Sequence, residues 1–268
     1  PAADRQIGRQ VERVERYLLE SGQRGTAAGS PVLFFNASTR IHTLSLNAAF
    51  SLLASWSLRL AGVPVRYVVC HSGMHQCILG TRSEGEQSPP PCGPCMRFSD
   101  LLFPAELTIP VPRASDSGNG LGDGSLDSLV GFRYRDLPLG ELCLPGLRWA
   151  LRRHRLADEP STRSLFRSYL RSAAGLASQF DQICQSVKPR AVVVFNGLMY
   201  PEAVARAIAL RHDIPVVTHE VGIKPLSAYF SHAHATFREQ ELPDGFALTK
   251  AQDQELDASL KERRQGRF

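Results

Sequence analysis

An α/β fold built on a doubly wound parallel sheet is what this sequence predicts, on three observations. Short runs rich in valine and phenylalanine, each ending in polar residues, occur at 31–38, 63–70, 190–197 and 214–222. Two of the intervals between them, 40–61 and 201–213, carry helical patterning. Strand, helix and strand therefore follow one another twice, and such units build parallel sheets. Finally, 43% hydrophobic residues in a chain of 268 supply enough apolar surface for one large core.

The elements follow in order. "VERVERYLLESG" (11–22) reads as a short amphipathic helix, and "PVLFFNAS" (31–38) as a buried strand that runs into a loop. Ser38 or Thr39 can cap the next helix, 40–61, which is apolar nearly all round and is expected to lie deep against the sheet. Gly62 ends it, and "VPVRYVVC" (63–70) is the second strand. A cysteine-rich loop, 70–95, precedes "MRFSDLLF" (96–103), read as one or two helical turns. Residues 113–130 read as a flexible linker. Its Gly118-x-Gly120-x-Gly122 partly matches a dinucleotide-binding loop, but no βαβ unit brackets it. A helical, arginine-rich segment spans 145–187, with Leu165, Tyr169, Ala173, Leu176, Phe180, Ile183 and Val187 on one face. Then "RAVVVFNG", "PEAVARAIALRHD" and "IPVVTHEVG" give the clearest βαβ unit, with Pro201 at the first helical position. The expected organisation is one domain over 1–245 and an exposed linker helix over 246–268.

The chain carries a net charge of +5, mostly through arginine, which favours phosphate and carboxylate partners. Arg163, Arg167 and Arg171 are spaced by four and predict a positive stripe, suited to an anionic membrane face or a phosphate-bearing ligand. Nucleic-acid binding through this stripe lacks aromatic interleaving or a known fold signature. No run approaches the roughly 20 apolar residues of a membrane span, and no secretory leader is read. The expected location is cytoplasmic, peripheral at the inner membrane face.

In an open parallel sheet, ligands bind outside the carboxyl ends of the strands. That rule selects Asn36 and His42 after the first strand, His71 after the second, and Asn196, Gly197, His219 and Glu220 after the later pair. His219 and Glu220 are adjacent and must face opposite ways. A glutamate in a partly desolvated crevice can act as a general base, and it can equally hold a loop through backbone amides. Gly197 suits close approach of backbone to a ligand, and Lys224 can pair with a phosphate or with solvent.

Four of six cysteines lie in 70–95. Six residues separate Cys70 from Cys77, fourteen separate Cys77 from Cys92, and Cys92-Gly-Pro-Cys95 is a CxxC knuckle. The leading expectation is a structural zinc site of Cys70, Cys77, Cys92 and Cys95, stapling a loop with little core of its own; His71 or His75 could replace one thiol. An Fe–S cluster is the alternative. A redox CxxC pair wants the motif at a helix start directly after a strand, whereas "SEGEQSPPP" precedes it here. Structural disulfides disagree with the missing leader. Cys143 and Cys184 read as buried thiols.

"GVPVRYVVCHSGMHQCILGT…PPPCGPCMRFSDLLFP" and "VVVFNGLMYPEAVARAIALRHDIPVVTHEVGIKPLSAYFS" together resemble the N-terminal half of bacterial surface-polysaccharide glycosyltransferases of the GT-B type. The match covers roughly 31–231, with a poorly matched middle around 112–160. The resemblance implies two facing Rossmann-like domains, the first shaping the acceptor site and the second holding the nucleotide-sugar. It also implies sugar transfer without a catalytic metal. Glu220 or His71 would then be the base that activates an acceptor hydroxyl, with a sugar or lipid-linked glycan as acceptor. The chain stops short of a donor-binding half, so it is expected to lack transferase activity alone. The rival reading is a zinc- or Fe–S-binding protein on a Rossmann-like scaffold, with a redox or regulatory role.

Overall fold

The computed structural model describes residues 2–23, 29–36, 44–81, 88–114, 121–122, 124–222, 224, 226–236 and 243–266. The chain divides into two compact units, 1–236 and 237–268. The first contains, in order, α1 (Ala2–Glu20), β1 (Val32–Asn36), α2 (Leu46–Leu60), β2 (Val65–His71), α3 (Cys92–Leu102), β3 (Thr108–Pro112), α4 (Leu126–Val130), α5 (Leu139–Leu151), α6 (Pro160–Val187), β4 (Ala191–Phe195), α7 (Glu202–Arg211), β5 (Val216–Val221) and β6 (Ala228–His232). The second holds α8 (Lys250–Arg264), which starts at a reciprocal cap between Thr249 and Gln252 and is exposed along its length.

The six strands form one sheet in the order β3-β2-β1-β4-β5-β6. The first five are parallel neighbours, and β6 runs antiparallel to β5. This is the α/β, Rossmann-like arrangement the two βαβ patterns predict, with the reversal of strand order at β1. Alternation divides the strands between two cores. Leu33, Phe35, Val68, Val192, Val194 and Val216 face α4–α7. Val32, Phe34, Val65, Tyr67 and Val69 face α1–α3. Runs apolar on both faces are the mark of strands covered on both sides by helices.

Several boundaries differ from the sequence reading, each for a physical reason. α1 starts nine residues earlier than expected, because its first turns also pack on the core through Ile7; Glu15, within the expected span, meets buried Arg59 of α2 at 2.6 and 2.7 Å. The expected start of the next helix, with Ser38, Thr39 and His42, falls outside the described residues. The described helix begins at Leu46, capped by Ser45, whose Oγ accepts from Ala48 N at 3.2 Å. Its buried face is Ser51, Leu52, Ser55 and Arg59, while Leu46, Leu53 and Leu60 are about half exposed. Small serines let the helix approach the strands, so deep burial all round is not what packing selects.

β3 and β6 had no counterpart in the sequence reading. β3 contains Pro110 and Pro112, which an edge strand tolerates because one side needs no donors. α3 begins at Cys92, so the CxxC occupies its first turn. Pro94 fits there because the first N–H groups of a helix have no intrahelical partner. Part of the expected linker is the helix α4, with Leu126 and Leu129 buried; residues 115–120 and 123 fall outside the description. The helical segment is two helices, with Pro145 inside α5 and left-handed Arg152 closing it. Pro201 stands just before α7 rather than inside it.

The arginine stripe is partly consumed. Arg163 Nη1 lies 2.7 Å from Asp158 Oδ1. Arg167 donates from Nε to the Gly122 carbonyl at 3.1 Å and from Nη2 to that of Gly124 at 3.3 Å. Arg167 thus ties α6 to the segment before α4, and Arg163 is held by Asp158 just ahead of α6. Among the described residues, no helix is long and apolar enough to cross a membrane.

Candidate functional site

The strand order reverses between β1 and β4, the place where open α/β sheets form a ligand crevice outside the carboxyl ends of their strands. Asn36 closes β1 on the side of α2, and its Oδ1 accepts from Ser51 Oγ at 3.0 Å. Across the crevice, Asn196 and Gly197 follow β4 with φ of 59° and 71°. Two consecutive left-handed residues turn the chain sharply, and both are buried: Asn196 N donates to the His219 carbonyl at 2.8 Å, and the Asn196 carbonyl accepts from Thr236 N at 3.0 Å. A Cβ on Gly197 would stand 2.9 Å from Thr218 Cγ2 and 3.0 Å from Arg206 Cδ, so position 197 has room for glycine alone. Arg206 of α7 donates to the Gly197 carbonyl at 3.1 Å and to that of Ala233 at 2.9 Å, clamping this turn to the chain after β6.

Glu220 is structural in its contacts. Asn196 Nδ2 donates to Glu220 Oε2 at 2.8 Å, and Val221 N donates to Oε1 at 2.8 Å. Asn196 Oδ1 in turn accepts from Leu198 N at 2.9 Å. The carboxylate therefore fixes the end of β4 through Asn196. His219 projects to the opposite face, between Phe195 and Phe230, with ring centroids 6.0 and 6.5 Å away. Burial pushes its pKa down to about 4, against the smaller upward pull of Glu220. Its Nδ1 is buried and has no hydrogen-bond partner among the described residues.

Asn47 in the first turn of α2 has a second such atom, Oδ1. α2 packs against β5 as well as β1, β2 and β4, which places these two atoms on one face of the sheet, together with the unpartnered Arg59 Nε; Arg148 Nε is a fourth such atom among the described residues. An unmade hydrogen bond of this kind costs about 1–3 kcal/mol. Asn47 was missed by the sequence reading. The only available signal was its position in an otherwise apolar helix.

The remaining candidates scatter. His71 is exposed at the end of β2. β2 and β5 are separated by β1 and β4, so His71 and Glu220 stand three strand spacings apart, about 14 Å. They cannot act on one hydroxyl. Lys224 is exposed in the β5–β6 turn, and His42 lies outside the described residues. Arg113 and Arg171 are near enough to His75 that, after burial, their charge depresses its pKa. An apolar groove of 410 Å³ lies elsewhere, between α1 and α2, lined by residues such as Ile7, Val11, Leu52 and Trp56. It lacks converging polar groups and is not the candidate site.

The cysteine loop is better anchored than its composition suggests. Met74 and Gln76 are buried. His75 N donates to Ser172 Oγ at 3.0 Å, Tyr169 Oη to Thr81 Oγ1 at 2.9 Å, and Tyr200 Oη to the Gln76 carbonyl. The loop thus has its own seat on α6. Cys70, Cys77, Cys92 and Cys95 are partly buried and in no disulfide. Burial pushes the Cys70 and Cys77 thiols up, and Cys95 up to about 12, with the neighbouring cysteines adding to each shift. Among the described residues, no three His, Cys, Asp or Glu side chains converge into a group that could hold a metal ion.

No protein-family model, curated protein or solved structure matches the chain.

Proposed function

We propose that this chain is the acceptor-side domain of a GT-B type glycosyltransferase of cell-surface polysaccharide synthesis, inactive without a donor-binding half. The observation that carries the reading is the reversal of strand order between β1 and β4, edged by Asn36 on one strand and by the Asn196–Gly197 turn on the next. The unpartnered Oδ1 of Asn47 and Nδ1 of His219 support a sugar as occupant. A hydroxyl both donates and accepts, so it can satisfy a carbonyl oxygen and a neutral imidazole nitrogen alike. An anion cannot donate to Asn47. Arg113 and Arg171 near His75 offer a phosphate-bearing acceptor its charge partners, beside the ends of β2 and β3.

Of the two candidate bases, Glu220 sits nearer the crevice, with each oxygen still able to accept a second bond. His71 is too distant to share its hydroxyl. The cysteine cluster has no part in the transfer and serves the fold. The chain acts at the cytoplasmic membrane face, where lipid-linked acceptors lie, through what remains exposed of its arginine surface.

The test uses the isotope-labelled chain titrated with monosaccharides, an oligosaccharide and a sugar phosphate. Amide shifts should concentrate at Asn36, Ser45–Asn47 and Asn196–Leu198. Nucleotide-sugar added with the same acceptors should give no transfer. Shifts confined to other surfaces, or measurable transfer by this chain alone, would overturn the reading. The rival, a zinc or Fe–S protein with a redox or regulatory role, is favoured by the four clustered thiols and predicts no sugar-dependent shifts.

A further inference from the structure

The end of α5 brings charge and an exposed indole to one place. Arg148 and Trp149 stand in its last turn, and Arg152, Arg153, His154 and Arg155 follow directly. Trp149 is 45% exposed, although Leu147, Ala150 and Leu151 beside it in the helix are buried. The Arg152 guanidinium lies over its ring, 4.8 Å from the centroid, as a cation–π contact. From Arg152 to Pro160 every residue is exposed except Leu156, which packs on the core. The connection between α5 and α6 therefore stands out in solvent, pinned from beneath by one leucine.

The fold does not spend these charges. Backbone closes the turn: Arg152 is left-handed, its N–H donates to the Trp149 carbonyl at 3.2 Å, and that of Arg153 donates to the Arg148 carbonyl at 3.1 Å. Among the described residues, no carboxylate pairs with Arg152, Arg153 or Arg155. Of the two carboxylates in the connection, Asp158 is taken by Arg163 Nη1 at 2.7 Å and by Leu126 N at 3.1 Å. Glu159 alone offsets the three guanidiniums. The carbonyl end of a helix favours cations within its last turn, which accounts for Arg148; Arg153 and Arg155 lie beyond it.

We infer that Trp149, Arg152, Arg153 and Arg155 form a docking surface for an anionic lipid bilayer, with the arginines on headgroup phosphates and the indole at the level where headgroups meet acyl chains. Guanidiniums match phosphate by charge and by their forked donors. Indole has an apolar body and one N–H, which suits the boundary between lipid and water. A nucleic-acid strand fits less well. A projecting turn with one aromatic residue offers no groove to track a backbone and no successive stacking platforms. Docking here rests on the reading that the chain works at a membrane face. It moves that contact from the stripe on α6, where Arg163 and Arg167 are engaged, to the end of α5.

The test is flotation of the full chain with vesicles of equal parts phosphatidylglycerol and phosphatidylcholine, against phosphatidylcholine alone. The chain should float with the first and not with the second. It should dissociate as salt rises from about 0.1 to about 1 M and the screening length falls from about 10 to about 3 Å. Arg152→Asn keeps a residue tolerant of the left-handed turn and should weaken partitioning about fivefold, and Arg153→Ala with Arg155→Ala about thirtyfold. Trp149 is one of two tryptophans, so it also reports directly. Emission should shift to the blue on the anionic vesicles, and Trp149→Phe should lose that shift while Trp56 remains. All these positions are exposed, so the variants leave the core intact. Flotation indifferent to headgroup charge, unchanged partitioning of the arginine variants, a blue shift kept by Trp149→Phe, or tighter binding to a single-stranded RNA than to the anionic vesicles would each overturn the docking surface. The vesicles carry no sugar, so failure here leaves the acceptor site untouched, and a failed sugar titration leaves this surface standing.

Discussion

His219 and Glu220 are adjacent in sequence and work on opposite faces of β5. The carboxylate holds Asn196, and the imidazole sits between two phenylalanines with one nitrogen unpartnered. The folded imidazole stays neutral down to about pH 4, whereas the unfolded one takes a proton near 6.5. Between those values the unfolded chain holds more protons, so stability falls as pH drops from 6.5 to 4, by on the order of 3 kcal/mol for this group. Urea unfolding at stepped pH measures it. His219→Phe should flatten the slope, leaving the smaller contribution of His75, whose pKa is also depressed. An unchanged slope would exclude the assignment. Arg59 makes a second residue-scale case. Burial opposes its charge, but hydrogen bonding and the charge of Glu15 outweigh burial and hold its pKa above the ordinary value. Glu15→Ala strands a guanidinium that is 1% exposed, and should cost about 3–5 kcal/mol in urea unfolding. Glu15→Leu with Arg59→Met should cost much less, because no charge is left behind.

At the scale of elements, close approach decides more than propensity. α4 and α5 meet where Gly140 has its absent Cβ only 2.1 Å from the Val130 carbonyl oxygen and 2.3 Å from that of Leu129. Both obstacles are backbone and cannot rotate away. Gly140→Ala should therefore separate the two helices and lower stability by about 1–3 kcal/mol, read as a fall in Tm. A neutral outcome would show that the helices slide apart freely. α3 follows the same logic from the other side. Proline at its third position would break a helix interior, yet costs little in a first turn, so the CxxC becomes part of a helix rather than of the loop before it. The cysteine loop is held by Ser172, Tyr169 and Tyr200, residues roughly a hundred positions away in the chain. No local pattern at 72–81 announces those partners.

For the whole molecule, strand order determines which candidate residues can meet. It sets Asn36 beside Asn196, and separates His71 from Glu220 by two strands. It also gives the two faces of the sheet different work: one holds α5–α7 and most of the aliphatic core, the other holds α1–α3, buried Arg59 and, among the described residues, three of the four buried unpartnered polar atoms, on Asn47, Arg59 and His219. The positive stripe expected from Arg163, Arg167 and Arg171 is spent on Asp158, Gly122 and Gly124 in its first two members, which leaves less for a membrane than spacing alone suggests.

By itself the sequence determined the α/β class, four of the parallel strands, the long helices and the positions of the strand-end polar residues. These follow from local periodicity and from valine runs that only a doubly covered sheet accommodates. It did not determine the edge strands β3 and β6, the cap of α2, or the helix that carries Cys92 and Cys95. Their signals, a proline in a strand or a leucine left exposed, are read correctly only when the neighbours are known. The candidate site divides the same way. Asn36, Asn196 and Gly197 were legible as strand ends. Asn47 and the choice of Asn196 as the partner Glu220 anchors were decided by tertiary structure, because each depends on which distant backbone arrives alongside.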